Sequence, residues 1–194
     1  MQTITTIKSV PKQTDDGFTS YLGMLISLGS FSMLFIALLA SYAILRVQAG
    51  SWMSNNMSAL SMALGWLNTG MLLLSSISYF MVSRSTKKRN KAIIQRFLNT
   101  TITIGFIFLI LQLTLWYTLN QDGYSIISHI EGSVFYMLSG LHGLHIVGGI
   151  IALFWLNYKI NNLVNYLQQV KLVGMFWHFL TVIWVVIFIT VILI

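Results

Sequence analysis

The sequence predicts an all-α polytopic membrane protein, a bundle of five transmembrane helices. Three observations carry this. Of 194 residues, 56% are hydrophobic and only 8% are charged, against roughly 25% charged in ordinary soluble domains. Five separate stretches are long and apolar enough to cross a hydrocarbon core about 30 Å thick, which takes about 20 residues of helix. None of the five carries a Lys, Arg, Asp or Glu in its interior. A soluble domain of this size has no room to hide so much apolar surface. The composition therefore excludes a cytosolic enzyme, a nucleic-acid-binding module and a disordered chain. With no cysteine, disulfides, thiolate metal sites, thiol catalysis and covalent c-type haem attachment are excluded as well.

The expected spans are residues 22–45, 62–82, 97–119, 133–156 and 172–193. Residues 1–20 are polar, with Lys8, Lys12, Asp15 and Asp16, and have no short apolar core with a small-residue cleavage site behind them. They are expected to form a cytoplasmic arm and not a cleaved signal peptide. The first span then serves as its own insertion signal, and residues 21–194 form one five-helix domain. The fifth span reaches the last residues, so no tail domain is expected. The loops are short, which favours an up-down bundle of sequence neighbours.

Basic residues set the expected orientation. Five spans place the N-terminus and the loops at 83–96 and 157–171 on one side. That side holds Lys8, Lys12, Arg84, Lys87, Lys88, Arg89, Lys91, Arg96, Lys159 and Lys171, while the other holds Arg46 alone, with Asp122 and Glu131. The positive-inside rule puts the N-terminus in the cytoplasm and the C-terminus outside. The run Arg84-Ser-Thr-Lys-Lys-Arg-Asn-Lys is read as a topology anchor near anionic lipid and not as a nucleic-acid site. Trp66, Trp116 and Trp155 fall near span ends, where an aromatic belt places them.

Few polar groups lie within the spans. Asn68 in span two and Gln112 in span three both fall about 10 Å in from the outer side at 1.5 Å per residue, so their amides are expected to be able to meet. Ser75, Ser76 and Ser78 continue the polar content of span two. Span four carries the densest pattern, Ser139-Gly140-Leu141-His142-Gly143-Leu144-His145-Ile146-Val147-Gly148-Gly149. His142, His145 and Gly149 share one helix face. A polar stripe on a small-residue face is expected to point at protein and not at lipid. His178 in span five matches the depth of His145, about 9–11 Å from the cytoplasmic side by helix rise. If spans four and five are neighbours, these imidazoles are placed to face each other or to share a polar contact.

The residues leave several uses open for these histidines. Two imidazoles on different helices can ligate a haem iron. Imidazole also suits copper, zinc or other iron sites, although three histidines without a carboxylate or thiolate give little support to closed zinc coordination. The remaining use is packing, within the chain or against a partner. His129 is expected at the interface near Glu131. No nucleophile–base pair, phosphate loop or paired carboxylate occurs, and the lack of intramembrane charge argues against a transporter or channel.

Read together, these motifs resemble subunit III of the haem–copper terminal oxidases, in the family's short five-helix form. The resemblance covers about residues 20–194 in order. It rests on Ser41-Tyr42-Ala43-Ile44-Leu45-Arg46 closing span one and on Leu67-Asn68-Thr69 … Ser75-Ser76 in span two. It rests further on Gln112 … Trp116 in span three, Gly140-Leu141-His142-Gly143-Leu144-His145 in span four, and Trp177-His178-Phe179 … Trp184 in span five. It implies a non-catalytic subunit of a respiratory oxidase in the bacterial inner membrane. Such a subunit packs against subunit I, which reduces oxygen to water and pumps protons. It supports the lasting activity of subunit I, holds phospholipid and aids proton uptake and oxygen access. Haem and copper would sit in partner subunits, with none in this chain. Asn68, Gln112, Gly140, His142, Gly143, His145, Trp177, His178 and Trp184 would be structural. The alternative from the residues is a b-type haem-binding or quinone-reactive anchor using His145 and His178. The chain departs from the family pattern at three carboxylate positions, where it has Phe31, Leu115 and Thr181. Such departures mark a divergent branch, or a paralogue in an oxidase with a second subunit of this kind.

Overall fold

The structure is a computed structural model, and it describes residues 15–49, 58–86, 90–124, 130–160 and 166–193. All five expected spans are helical: α1 (Asp15–Ala49), α2 (Ala59–Thr86), α3 (Lys91–Gln121), α4 (Ile130–Lys159) and α5 (Tyr166–Ile187), the last continuing as a π-helix over Phe188–Leu193. Each holds a stretch long and apolar enough to cross a membrane. A helix is the form available to such segments, because every backbone N–H and C=O must be satisfied within the segment in lipid. The helices outrun the apolar stretches on which the spans were placed. α1 begins at Asp15, inside the stretch expected as a polar arm, since a helix need not stop where the hydrocarbon does. The arm's first fourteen residues, Lys87, Lys88, Arg89 and His129, and the side chain of Glu131, lie outside the described residues.

Sequence neighbours α2 and α3 share the most extensive interface, and α5 packs against α1, α2 and α4. α5 is accordingly the most buried span, with half of its most apolar window inside the protein, whereas α1 has 6%. Only Phe35 and Tyr42 of α1 are buried large hydrophobics. One apolar cluster fills the end of the bundle that carries the basic residues, around Tyr79, Leu98, Leu153, Val170 and Trp177. A second fills the opposite end, around Phe35, Leu115, Phe135 and Phe188.

The helix ends are fixed by local chemistry. Asn90 caps α3, its side-chain oxygen accepting from the Ile93 N–H at 3.3 Å, as a cap residue does for an otherwise orphaned donor. At the far end the Tyr124 N–H reaches the Leu119 carbonyl at 3.0 Å and the Gly123 N–H reaches that of Asn120 at 3.3 Å. This is the Schellman arrangement, and it needs the positive φ of 92° that Gly123 supplies.

That turn brings Asp122 to the start of α2. Its Oδ2 accepts from the Ser61 hydroxyl at 2.6 Å, the Ser58 hydroxyl at 2.8 Å and the Ser58 N–H at 3.3 Å. The Ser61 hydroxyl above all, with both donors of Ser58, holds the carboxyl below the usual carboxylate range. A carboxylate at a helix N-terminus also complements the helix dipole. A depressed folded-state pKa means that the latch contributes fully above the unfolded value of about 3.9 and is lost as pH falls through the lower folded value. Melting curves of the detergent-solubilised protein from pH 6 to pH 3 should show this loss in the wild type. Asp122→Asn should melt lower at pH 6 and lose less on acidification.

At the C-terminal end of α5, the carbonyls of the last turn have no partner further along the helix. The Tyr42 hydroxyl donates to the Thr190 carbonyl at 2.6 Å, and Arg46 approaches the same carbonyl at 3.5 Å. The Tyr-Ala-Ile-Leu-Arg ending of α1 thus fastens that peripheral helix to the end of α5.

Candidate functional site

α2 and α5 are joined by a ladder of polar contacts. The indole N–H of Trp184 donates to the Thr69 hydroxyl at 3.1 Å, and that of Trp177 to the Ser75 hydroxyl at 3.2 Å. His178 Nδ1 and the Ser76 hydroxyl lie 2.6 Å apart. The Tyr79 hydroxyl donates to the Val170 carbonyl at 2.6 Å. From Thr69 to Tyr79 along α2 the partners run from Trp184 back to Val170 along α5, as antiparallel neighbours require, with Trp177 and His178 sharing the middle rung. Indole and phenol suit this work because they bury a large apolar body and need only one partner for the polar atom.

Glycines make the ladder possible. A Cβ on Gly149 of α4 would stand 3.0 Å from the Trp177 ring, one on Gly105 of α3 would stand 3.1 Å from it, and one on Gly174 would stand 2.5 Å from the Tyr79 ring. Small residues let large rings and helix backbones approach closely. The space that the glycine-rich face of α4 offers at Gly149 is therefore filled by Trp177. Gly140 faces Trp116, with a Cβ position 3.7 Å from the ring, whereas a Cβ at Gly143 or Gly148 would meet nothing within 4 Å beyond its own helix backbone among the described residues. The stripe thus divides between positions that pack on protein and positions that open outward.

Asn68 and Gln112 meet, as their depths indicated: Asn68 Nδ2 donates to Gln112 Oε1 at 2.7 Å, and both residues are buried. The Ser75 hydroxyl, which accepts from Trp177, donates in turn to the Thr101 carbonyl at 3.2 Å. Between α3 and α4, the Trp116 indole donates to the Ser139 hydroxyl at 3.0 Å, and the Tyr136 hydroxyl to the Trp116 carbonyl at 2.9 Å.

The histidines take separate places. His142 is fully buried, 5.3 Å from the Trp184 ring, 6.2 Å from Phe35 and 6.3 Å from Phe108, measured between centroids. His145 bonds through Nδ1 to the Leu141 carbonyl at 2.7 Å and stands edge-on to Phe31 at 4.6 Å. His178 belongs to the ladder. Contrary to the expectation from their depths, His145 and His178 do not face each other or share a contact. α4 and α5 are neighbours, but His145 turns to α1 and His178 to α2. Among the described residues no group of three or more His, Cys, Asp or Glu side chains comes together.

The three departures from the carboxylate pattern fit apolar or self-sufficient surroundings. Phe31 packs on His145 and on Phe176, Leu115 is fully buried, and the Thr181 hydroxyl returns to the Trp177 carbonyl at 3.1 Å.

Basic side chains at one end lie over aromatic rings, with Lys91 5.5 Å from Tyr166, Lys159 5.2 Å from Trp155 and Lys171 5.2 Å from Tyr21. Such pairs hold a cation at the edge of an apolar region. Trp66 and Trp155 are both exposed, as belt residues are, while Trp116 is partly buried and spends its N–H inside the bundle.

A family model described as cytochrome c oxidase subunit III matches residues 11–194. The chain belongs to that family. Among curated relatives, it is 31% identical to the cytochrome bo(3) ubiquinol oxidase subunit 3 of Buchnera aphidicola subsp. Schizaphis graminum, over 86% of this chain and 89% of that one. It is 32% identical to the probable cytochrome c oxidase subunit 3 of Nocardia farcinica, over 88% and 85%. It is 26% identical to the cytochrome c oxidase subunit 3 of Synechocystis, over 87% and 73%. The chain is thus a subunit III of a haem–copper terminal oxidase, a multi-pass membrane protein and part of an oxidoreductase complex. The use of two of its histidines as a haem pair is not favoured.

Sequence reasoning singled out Asn68, Gln112, His142, Trp177, His178 and Trp184, and the structure shows what each touches. It named Thr69, Ser75 and Thr181 as members of motifs and Asp122 as a loop acid, without the partners they meet, and it missed Tyr79, Ser58 and Ser61. Their signal was present as the hydroxyls of Thr69, Ser75 and Tyr79 along span two and as Ser58-Ala59-Leu60-Ser61 at its start. A hydroxyl at helical spacing, however, also bonds its own helix at i−4, as Ser27, Ser30 and Ser41 of α1 do, so spacing alone does not select the residues that cross to a neighbour.

Proposed function

We propose that this subunit III is a non-catalytic scaffold that stabilises subunit I of the oxidase in the bacterial inner membrane, with its N-terminus in the cytoplasm. The observation that carries this reading is the use to which the intramembrane polar groups are put. Trp177, Trp184, His178 and Asn68 are bonded to Ser75, Thr69, Ser76 and Gln112, so the motif side chains are occupied in holding helices together. Interhelical contacts of this kind are worth about 0.6 kcal/mol each on average, and several in register define one packing. Haem and copper belong to partner subunits in this reading, and phospholipid covers the exposed apolar faces. A buried-carboxylate role in proton uptake has no carrier at Phe31, Leu115 or Thr181.

The test compares the oxidase purified with and without this chain. The expected result is similar initial oxygen consumption but faster loss of activity during turnover when the chain is missing, with the same haem content per subunit I. A haem band in the isolated chain, lost on His145→Ala or His178→Ala, would overturn the reading in favour of a haem anchor.

A further inference from the structure

Five buried side-chain atoms lack a protein partner among the described residues: Asn157 Oδ1 near the basic end and, in the bundle interior, Asn68 Oδ1, Gln112 Nε2 and both ring nitrogens of His142. They come from α2, α3 and α4. Counted from the ends of their helices opposite the basic end, Asn68 and Gln112 lie about 14 Å in and His142 about 18 Å in. Asn68 and His142 are fully buried and Gln112 is 3% exposed.

Among the described residues, the hydroxyls next to them on their own helices have already committed their protons. The Thr69 hydroxyl donates to the Gly65 carbonyl at 2.9 Å and accepts from Trp184. The Ser139 hydroxyl donates to the Phe135 carbonyl at 2.6 Å and accepts from Trp116. Around His142 stand Phe35, Phe108 and Trp184, whose rings offer no strong acceptor. The result does not depend on how the amides are oriented. Turning both amides over keeps the 2.7 Å bond and again leaves one carbonyl oxygen and one NH2 group unmet. Either tautomer of His142 likewise leaves one donor and one acceptor.

We propose that Asn68, Gln112 and His142 bind ordered water at the centre of the bundle. The amide pair presents one acceptor and one donor, the complement of a single bridging water, and His142 on α4 presents one donor and one acceptor of its own. Buried water characteristically makes about three hydrogen bonds to polar groups that are otherwise unmet. A metal ion is a poor occupant, because two neutral amides and one imidazole bring no negative charge to neutralise it.

The experiment is a cryo-EM map of the intact oxidase in lipid nanodiscs, at a resolution that shows ordered water, for the wild type and for the double variant N68L/Q112L. The expected result is density within about 3.2 Å of the Asn68 and Gln112 side chains, lost in the double variant. If that variant does not assemble, the wild-type map and a milder His142→Phe variant, which should lose only density beside the ring, carry the test. A well-resolved amide pair with no density against it overturns the proposal. So does a lipid or a polar side chain of another oxidase subunit at those atoms.

Discussion

Trp177→Ala should be the most damaging single truncation in the chain, at about 3–5 kcal/mol, the range for emptying a buried aromatic site. The indole is 1% exposed and lies between Gly105 and Gly149, on two different helices. Removing it opens a void that neither glycine has a side chain to fill. It also takes the donor from Ser75, but that is the smaller loss, since a single interhelical hydrogen bond in a membrane averages about 0.6 kcal/mol. Packing therefore decides the effect. Trp177→Phe, which keeps much of the ring but not the N–H, should recover most of the loss. Thermal unfolding of the purified complex in detergent, followed through this subunit, measures both variants against the wild type. A coupled variant sharpens the argument. Gly149→Ala alone should destabilise, because its Cβ would stand 3.0 Å from the indole. In a Trp177→Ala background the same substitution should be neutral or restorative, since contacting residues are not additive.

Gly174→Val should come second, through overpacking. A Cβ at position 174 falls 2.5 Å from Cε1 of Tyr79. That ring has little freedom to move, being fully buried and held by its hydroxyl on Val170. Forced overpacking costs about 1–3 kcal/mol, and the two extra methyls of valine place this case at the upper end. Gly174→Ala should cost less but still destabilise. Combining Gly174→Val with Tyr79→Leu removes the ring that is struck, so the pair should be less damaging than the two effects added. An equal or larger loss in the double variant would show that the α2–α5 contact is not the source of the strain.

Much of this molecule was legible before its structure. Five spans follow from apolar length alone, because a helix satisfies its own backbone and a bilayer fixes how long it must be. The meeting of Asn68 with Gln112 followed from depth, since antiparallel neighbours bring equal depths together. Depth failed for His145 and His178 because it fixes only one coordinate. Whether two side chains meet also depends on the rotation of each helix about its axis. In spans apolar nearly all round, periodicity says little about that rotation.

The sequence by itself therefore determined the membrane, the spans, the basic end and, through its ordered motifs, the family. These depend on composition and on one-dimensional spacing. Only the tertiary structure decided that Trp177 fills the gap at Gly149, that Ser75 and Thr69 are the residues that receive the two indoles, and that Asp122 latches the start of α2. The physical reason is that each of these rests on which faces of neighbouring helices turn toward one another, and that is set by the packing of large rings against glycines on other spans.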